Sequence, residues 1–145
     1  MNATDESHLR RAIALAQHAR DSGEQPFGSL LVGPDGSVLR EDHNTVLSDG
    51  DVTAHPELKL ARWAARELDA DTARQTTMYT SCQPCPMCTG AIARSGLGRV
   101  VFALTGEQLQ ALKPADAASP DAAQVAYEGP ALFAEARVPI DGYYA

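Results

Sequence analysis

The sequence predicts a layered α/β domain on three observations. Short apolar strands alternate with amphipathic helical stretches, one strand is continuously apolar as a sheet interior demands, and 145 residues suffice for one core. A chain of about this length buries roughly 68–70% of the surface its unfolded form exposes, so no disulfide is needed to hold it together. Residues 1–145 are read as a single domain.

Leu9, Ala12, Ile13, Ala16 and Ala19 recur at helical spacing and Gly23 can close the helix, which predicts a helix near 6–21. In "FGSLLVGPDGSVLREDHN" two short strands flank the turn "GPDG", a hairpin over about 27–44. Leu60, Ala61, Ala64, Ala65 and Leu68 form an apolar face on a helix that starts at Pro56. "TTMYTS" is a strand, "PMCTGAIARSG" a short helix ended by glycine, and "RVVFAL" a buried strand. "KPADAASPDAA" reads as a connection, "QVAYEG" as a last strand and "PALFAEA" as a terminal helix.

Composition narrows the function classes. The 44% hydrophobic and 21% charged content excludes disordered and fibrous proteins. No apolar run approaches a membrane span, and "MNATDESHLRR" has no apolar leader core, so a cytoplasmic location and no membrane partner are expected. The net charge of −7 opposes the basic footprint that nucleic-acid binding needs. Three cysteines within seven residues, in a reducing compartment, point to metal binding or catalysis.

Beside "PCPMC", the stretch "TAHPE" completes a metal-binding set: His55, Cys85 and Cys88 offer one imidazole and two thiolates, which suit Zn²⁺. Cys85 and Cys88 are three apart where a helix begins, so both sulfurs can face one side. His55 precedes a proline, which pushes it to extended dihedrals at an N-cap, while Pro56 tolerates the first helical position because its missing N–H would be unpaired there. Pro56 therefore holds His55 outside the helix and Glu57 inside it. A carboxylate beside zinc-bound water is what hydrolysis requires, with Glu57 as the proton carrier.

The ordered pair H-x-E and P-C-x-x-C resembles the zinc-dependent cytidine deaminase superfamily. The runs "QPFGSLLV", "HNTV", "TAHPELKLARWA" and "YTSCQPCPMCTGAIARSGLGRVVFAL" resemble its guanine deaminase and cytosine deaminase branches, over about residues 8–104. The resemblance implies a three-layer α-β-α sandwich with a mixed five-stranded sheet, a homodimer, and removal of an exocyclic amine as ammonia from a free nucleobase or related heterocycle. By the same resemblance His55, Cys85 and Cys88 bind Zn²⁺ and Glu57 shuttles the proton. Phe27 would pack on the flat ring, Asn44 would hydrogen-bond its polar edge, and Pro56 and Pro84 of the two signatures would border the substrate. Tyr143 and Tyr144 in "DGYYA" resemble aromatic tails that close over the pocket, with residues 130–145 as a capping helix and tail.

One position departs from the family pattern. The residue between His and Glu is usually alanine or glycine, and in some members its N–H donates to a substrate carbonyl; Pro56 has none to give. The expectation is a substrate shifted from guanine and cytosine toward isoguanine-like purines, azacytosine or amino-triazine rings. Other readings compete residue by residue. Cys82 could join the other donors in a closed structural Cys₃His site, a non-catalytic interaction module, or pair with Cys85 as a redox couple. Phe27 could be core packing, Asn44 a turn former and the tyrosines a frayed end. A tRNA adenosine deaminase shares the zinc motif, against which stands the acidic charge.

Overall fold

A computed structural model describes residues 1–117, 119, 121 and 124–145. Helix α1 (Ala3–Asp21) is followed by strands β1 (Gly28–Val32) and β2 (Val38–His43), then by α2 (Val46–Asp49), α3 (Pro56–Glu67) and α4 (Ala70–Arg74). Strand β3 (Thr77–Cys82), α5 (Pro86–Ser95), β4 (Arg99–Leu104), α6 (Gly106–Leu112) and a short α7 (Phe133–Ala136) complete the order. Helix α1 starts earlier than its apolar spacing predicts, because Asn2 and Asp5 form a reciprocal capping box.

The sheet runs β2-β1-β3-β4, with β1 antiparallel to both β2 and β3 and β3 parallel to β4. It is mixed, as expected, but has four strands among the described residues, not five. Residues 124–129, expected as the last strand, form none: every one is exposed, and Val125 and Tyr127 alone bury too little to offset ordering of the backbone. The connection expected over residues 113–123 lies partly outside the described residues.

Alternation along the strands sends successive side chains to opposite faces, each covered by a helix. Leu30, Val32, Tyr79 and Val101 meet Leu9, Ala12 and Leu15 of α1. Leu31 and Met78 meet Leu60 and Ala64 of α3 on the other face. Helix α1 lies so close that a Cβ on Gly28 would come within 2.5 Å of the Ala16 backbone nitrogen, which makes glycine obligatory where β1 begins. Among the described residues no helix is long and apolar enough to cross a membrane.

A polar cluster ties the start of the chain to the end of the sheet. Asp5 accepts two hydrogen bonds of 2.9 Å from Arg99 and one of 2.7 Å from the Tyr79 hydroxyl. The Arg99 guanidinium first, then Tyr79 and the Asn2 backbone, hold the Asp5 carboxyl well below the usual carboxylate range. A depressed folded-state value gives stability that is present above the unfolded pKa of about 4 and drains as pH falls toward the folded value. Asp5→Asn should therefore lower the urea midpoint at pH 7 and flatten its decline between pH 5 and pH 2, as equilibrium unfolding at several pH values would measure.

Candidate active site

Two helix starts converge beside the sheet. His55 is the N-cap of α3 with extended dihedrals (φ −78°, ψ 141°), and Cys85 is the N-cap of α5 (φ −68°, ψ 169°); each is followed by a proline in the first helical turn. Proline is preorganised for that position, so both ligand-bearing residues are fixed just outside their helices. Cys88, one turn into α5, is fully buried.

His55 Nδ1 lies 3.7 Å from Cys85 Sγ and 3.5 Å from Cys88 Sγ, and the donor atoms all fall within 4.8 Å of one another. Tetrahedral zinc with sulfur at ~2.3 Å and nitrogen at ~2.05 Å requires a sulfur–nitrogen separation of about 3.6 Å, so the donors already stand at the right spacing. Cys82 is not part of this cluster. It sits buried at the end of β3, where burial raises its thiol pKa. The closed Cys₃His site is therefore not assembled by the fold.

The Cys85 thiol is lowered to about 4, first by the neighbouring Cys88 thiol, with His55 adding to the effect. The same contact and burial push Cys88 upward. His55 is raised, first by its hydrogen bond with Cys85; its neighbours Glu57 and Asp121 add electrostatically. Cation binding would displace these protons.

Glu57, in the first turn of α3, is 6% exposed. Burial pushes its carboxyl above the ordinary range, opposed by its own backbone N–H, by His55 and by Ser29. Ser29 Oγ lies 3.3 Å from Glu57 Oε1 and 2.8 Å from Thr80 Oγ1. Pro56 is fully buried between the ligand and the acid.

The other expected substrate residues are placed unevenly. Asn44 is 1% exposed, its amide oxygen accepting from the Val46 N–H at 3.0 Å and its amide donating to Gln25 Oε1 at 3.2 Å. Phe27 is half-buried, its carbonyl accepting from the Asn44 N–H, so the two sit side by side. Pro84 lines a shallow cavity of about 200 Å³ with Gln83, Thr89, Ile92, Val100 and Phe102, none of them a metal ligand. Tyr143 and Tyr144, expected as a lid, are 76% and 83% exposed and pack edge-to-face on each other. Val125 to Tyr144 presents only exposed side chains, so in the single chain the tail covers nothing.

Ser29 and Thr80, beside Glu57, are not among the expected site residues; Ser29 carries a signal as the polar side chain in the otherwise apolar β1, whereas Thr80 shares β3 with Thr77 and Ser81 and does not stand out.

The family model for the cytidine and deoxycytidylate deaminase zinc-binding region matches residues 2–104. The chain belongs to this family. A probable cytosine deaminase of Schizosaccharomyces pombe is 40% identical over 112 residues, 75% of this chain and 65% of that one. A guanine deaminase of Bacillus subtilis is 42% identical over 88 residues, 60% of this chain and 56% of that one. The crystal structure of the Bacillus subtilis guanine deaminase superposes with a TM-score of 0.76 at 29% identity, over 99% of this chain and 94% of that one. A tRNA-specific adenosine deaminase of Buchnera aphidicola is 35% identical over 106 residues, 73% of this chain and 70% of that one. The chain thus spans less than two thirds of the cytosine and guanine deaminase sequences it aligns with.

The donor set of this deaminase-family protein fits zinc in number, type and spacing, and His55, Cys85 and Cys88 would be the residues to hold it. His55→Ala, Cys85→Ser or Cys88→Ser should weaken zinc binding by more than the ~100-fold that changes behind the ligands reach, while Cys82→Ser should retain it. Elemental analysis after dialysis against a chelator, with cobalt substitution to count thiolate ligands, would distinguish these outcomes.

Proposed function

We propose that the chain is a zinc-dependent hydrolytic deaminase acting on a free nucleobase or related amino-heterocycle, with water as co-substrate. The observation that carries this is a buried carboxylate, Glu57, two residues from a metal cluster with three protein donors among the described residues. Three donors fit a catalytic zinc, whereas a structural one takes four. When bound, zinc supplies the Lewis acidity that brings the ionisation of water toward neutral pH.

Glu57 accepts the proton released by water and gives it to a ring nitrogen, then takes the proton of the added hydroxyl and delivers it to the departing amine. A carbon–oxygen bond forms, the carbon–nitrogen bond breaks, ammonia leaves and the ring carbon ends as a carbonyl, without any oxidant. Burial raises the Glu57 pKa, which suits a group that must hold a proton and release it.

Base rather than polynucleotide is favoured by the net charge of −7, since RNA must be held through its phosphates. The tRNA deaminase relative keeps that second substrate class in the test. Within the bases, Pro56 favours rings that need no backbone donor at the His55–Glu57 junction: isoguanine, azacytosine or amino-triazines over guanine and cytosine. A stranded substrate carbonyl would cost ~1–3 kcal/mol. Phe27, Asn44 and Pro84 as substrate contacts, Tyr143 and Tyr144 as a cap over a single 1–145 domain, a homodimer and a cytoplasmic setting belong to the same proposal.

Zinc-loaded protein should release ammonia from at least one base in a panel of guanine, isoguanine, cytosine, azacytosine, ammeline-type triazines and adenine, and Glu57→Gln should lower kcat by ~10²–10⁴ without loss of zinc. Activity on tRNA alone, or full activity in Glu57→Gln, would overturn this assignment. Pro56→Ala should raise kcat/KM for the disfavoured base relative to the favoured one by about tenfold, the lower part of the range for one recovered hydrogen bond.

A further inference from the structure

Ser29 and Thr80 stand directly opposite each other in the β1–β3 register, on the face that also carries Leu31 and Met78. That face is covered by α3, whose buried residues Glu57, Leu60, Ala61 and Ala64 descend it at helical spacing. Ser29, Thr80 and Glu57 are 0%, 1% and 6% exposed. A hydroxyl taken from water is unfavourable unless it is hydrogen-bonded, and an apolar pair of the same shape would pack here at little or no loss. Two hydroxyls at this place therefore call for a role other than packing.

The direction of their bonds follows from counting protons. Ser29 has one hydroxyl hydrogen and two oxygen neighbours, Thr80 Oγ1 at 2.8 Å and Glu57 Oε1 at 3.3 Å. In the ionised form that takes a proton from water, Glu57 only accepts, so the Ser29 hydrogen then goes to Glu57 and the Thr80 hydrogen to Ser29. Glu57 Oε2 takes no side-chain hydrogen bond among the described residues, so Ser29 anchors one of the two carboxylate oxygens.

We propose that Thr80 and Ser29 form a directed hydroxyl chain that fixes the orientation of the Glu57 carboxylate, and that both are positioning residues for the deaminase reaction. This rests on the deaminase assignment for its kinetic consequence, but not for its structural one. Helix α3 sets the position of Glu57's backbone, and the hydroxyl chain sets which oxygen is anchored. A proton carrier that rotates freely spends part of its time out of reach of the reacting atoms.

The test uses zinc-loaded protein of residues 1–145 and three substitutions. Ser29→Ala should lower kcat about tenfold with KM and zinc content unchanged. Thr80→Val, which keeps volume and loses the hydroxyl, should lower kcat several-fold, and Thr80→Ser, which loses volume and keeps the hydroxyl, should retain more activity than Thr80→Val. Thermal unfolding should show the opposite order for the Thr80 pair, separating orientation from packing. In crystal structures Glu57 should occupy one rotamer in the parent and more than one in Ser29→Ala. A single Glu57 rotamer in every variant would overturn the proposal whatever the substrate. So would kcat within twofold of the parent in both Ser29→Ala and Thr80→Val. Absence of activity on every base in the parent protein would instead count against the deaminase assignment, and the rotamer comparison would still decide the hydroxyl chain.

Discussion

The seating of α3 on the sheet is the constraint on which the site depends. Its lower turns press Leu60 and Ala64 onto Leu31 and Met78, a fully buried contact with no polar alternative. Once that contact is made, the first turn can only project over Ser29 and Thr80, and His55 can only fall beside the start of α5. His55 and Glu57 are thus placed by ordinary hydrophobic packing one to two turns away. Pro56 removes the remaining freedom at the junction, since its ring fixes the backbone between the imidazole and the acid.

Lys59 locks the neighbouring loop to the same helix. Its ammonium donates to Asp42 Oδ1 at 2.8 Å, to the His43 carbonyl at 2.9 Å and to Thr45 Oγ1 at 3.0 Å. All three of its hydrogens are used, on residues that bracket Asn44. The Thr45 N–H in turn bonds the Ala54 carbonyl, immediately before His55. Asn44 and the metal cluster are therefore held in one frame by a half-buried cation, and a shift of α3 would carry both together.

Much of this was readable in the residues themselves. The two motifs placed the donors and Glu57 at helix starts, because proline after His55 and after Cys85 leaves few other local conformations. Apolar spacing marked α1 and α3 because each buries one face against the sheet, and short apolar runs marked the strands beneath them. Short elements were not legible: α2, α4 and α6 bury almost nothing, and their capping by side chains such as Asp69 and Thr105 leaves only a weak pattern. The expected fifth strand rested on three apolar residues in "QVAYEG" and lacked a covering layer. The hydroxyl pair beneath Glu57 escaped notice because cross-strand register, not sequence spacing, brings residues 29 and 80 together.

The bond between Asp5 and Arg99 joins positions 94 apart in the chain. At synthesis rates of about 5–20 residues per second, the amino-terminal helix waits roughly 5–20 seconds before its polar anchor has been made. During that interval its inward stripe is bare, and three of the six residues on that stripe are alanines. So small a sticky surface gives a nascent chain little to aggregate through while the ribosome is still building the strand that will hold it.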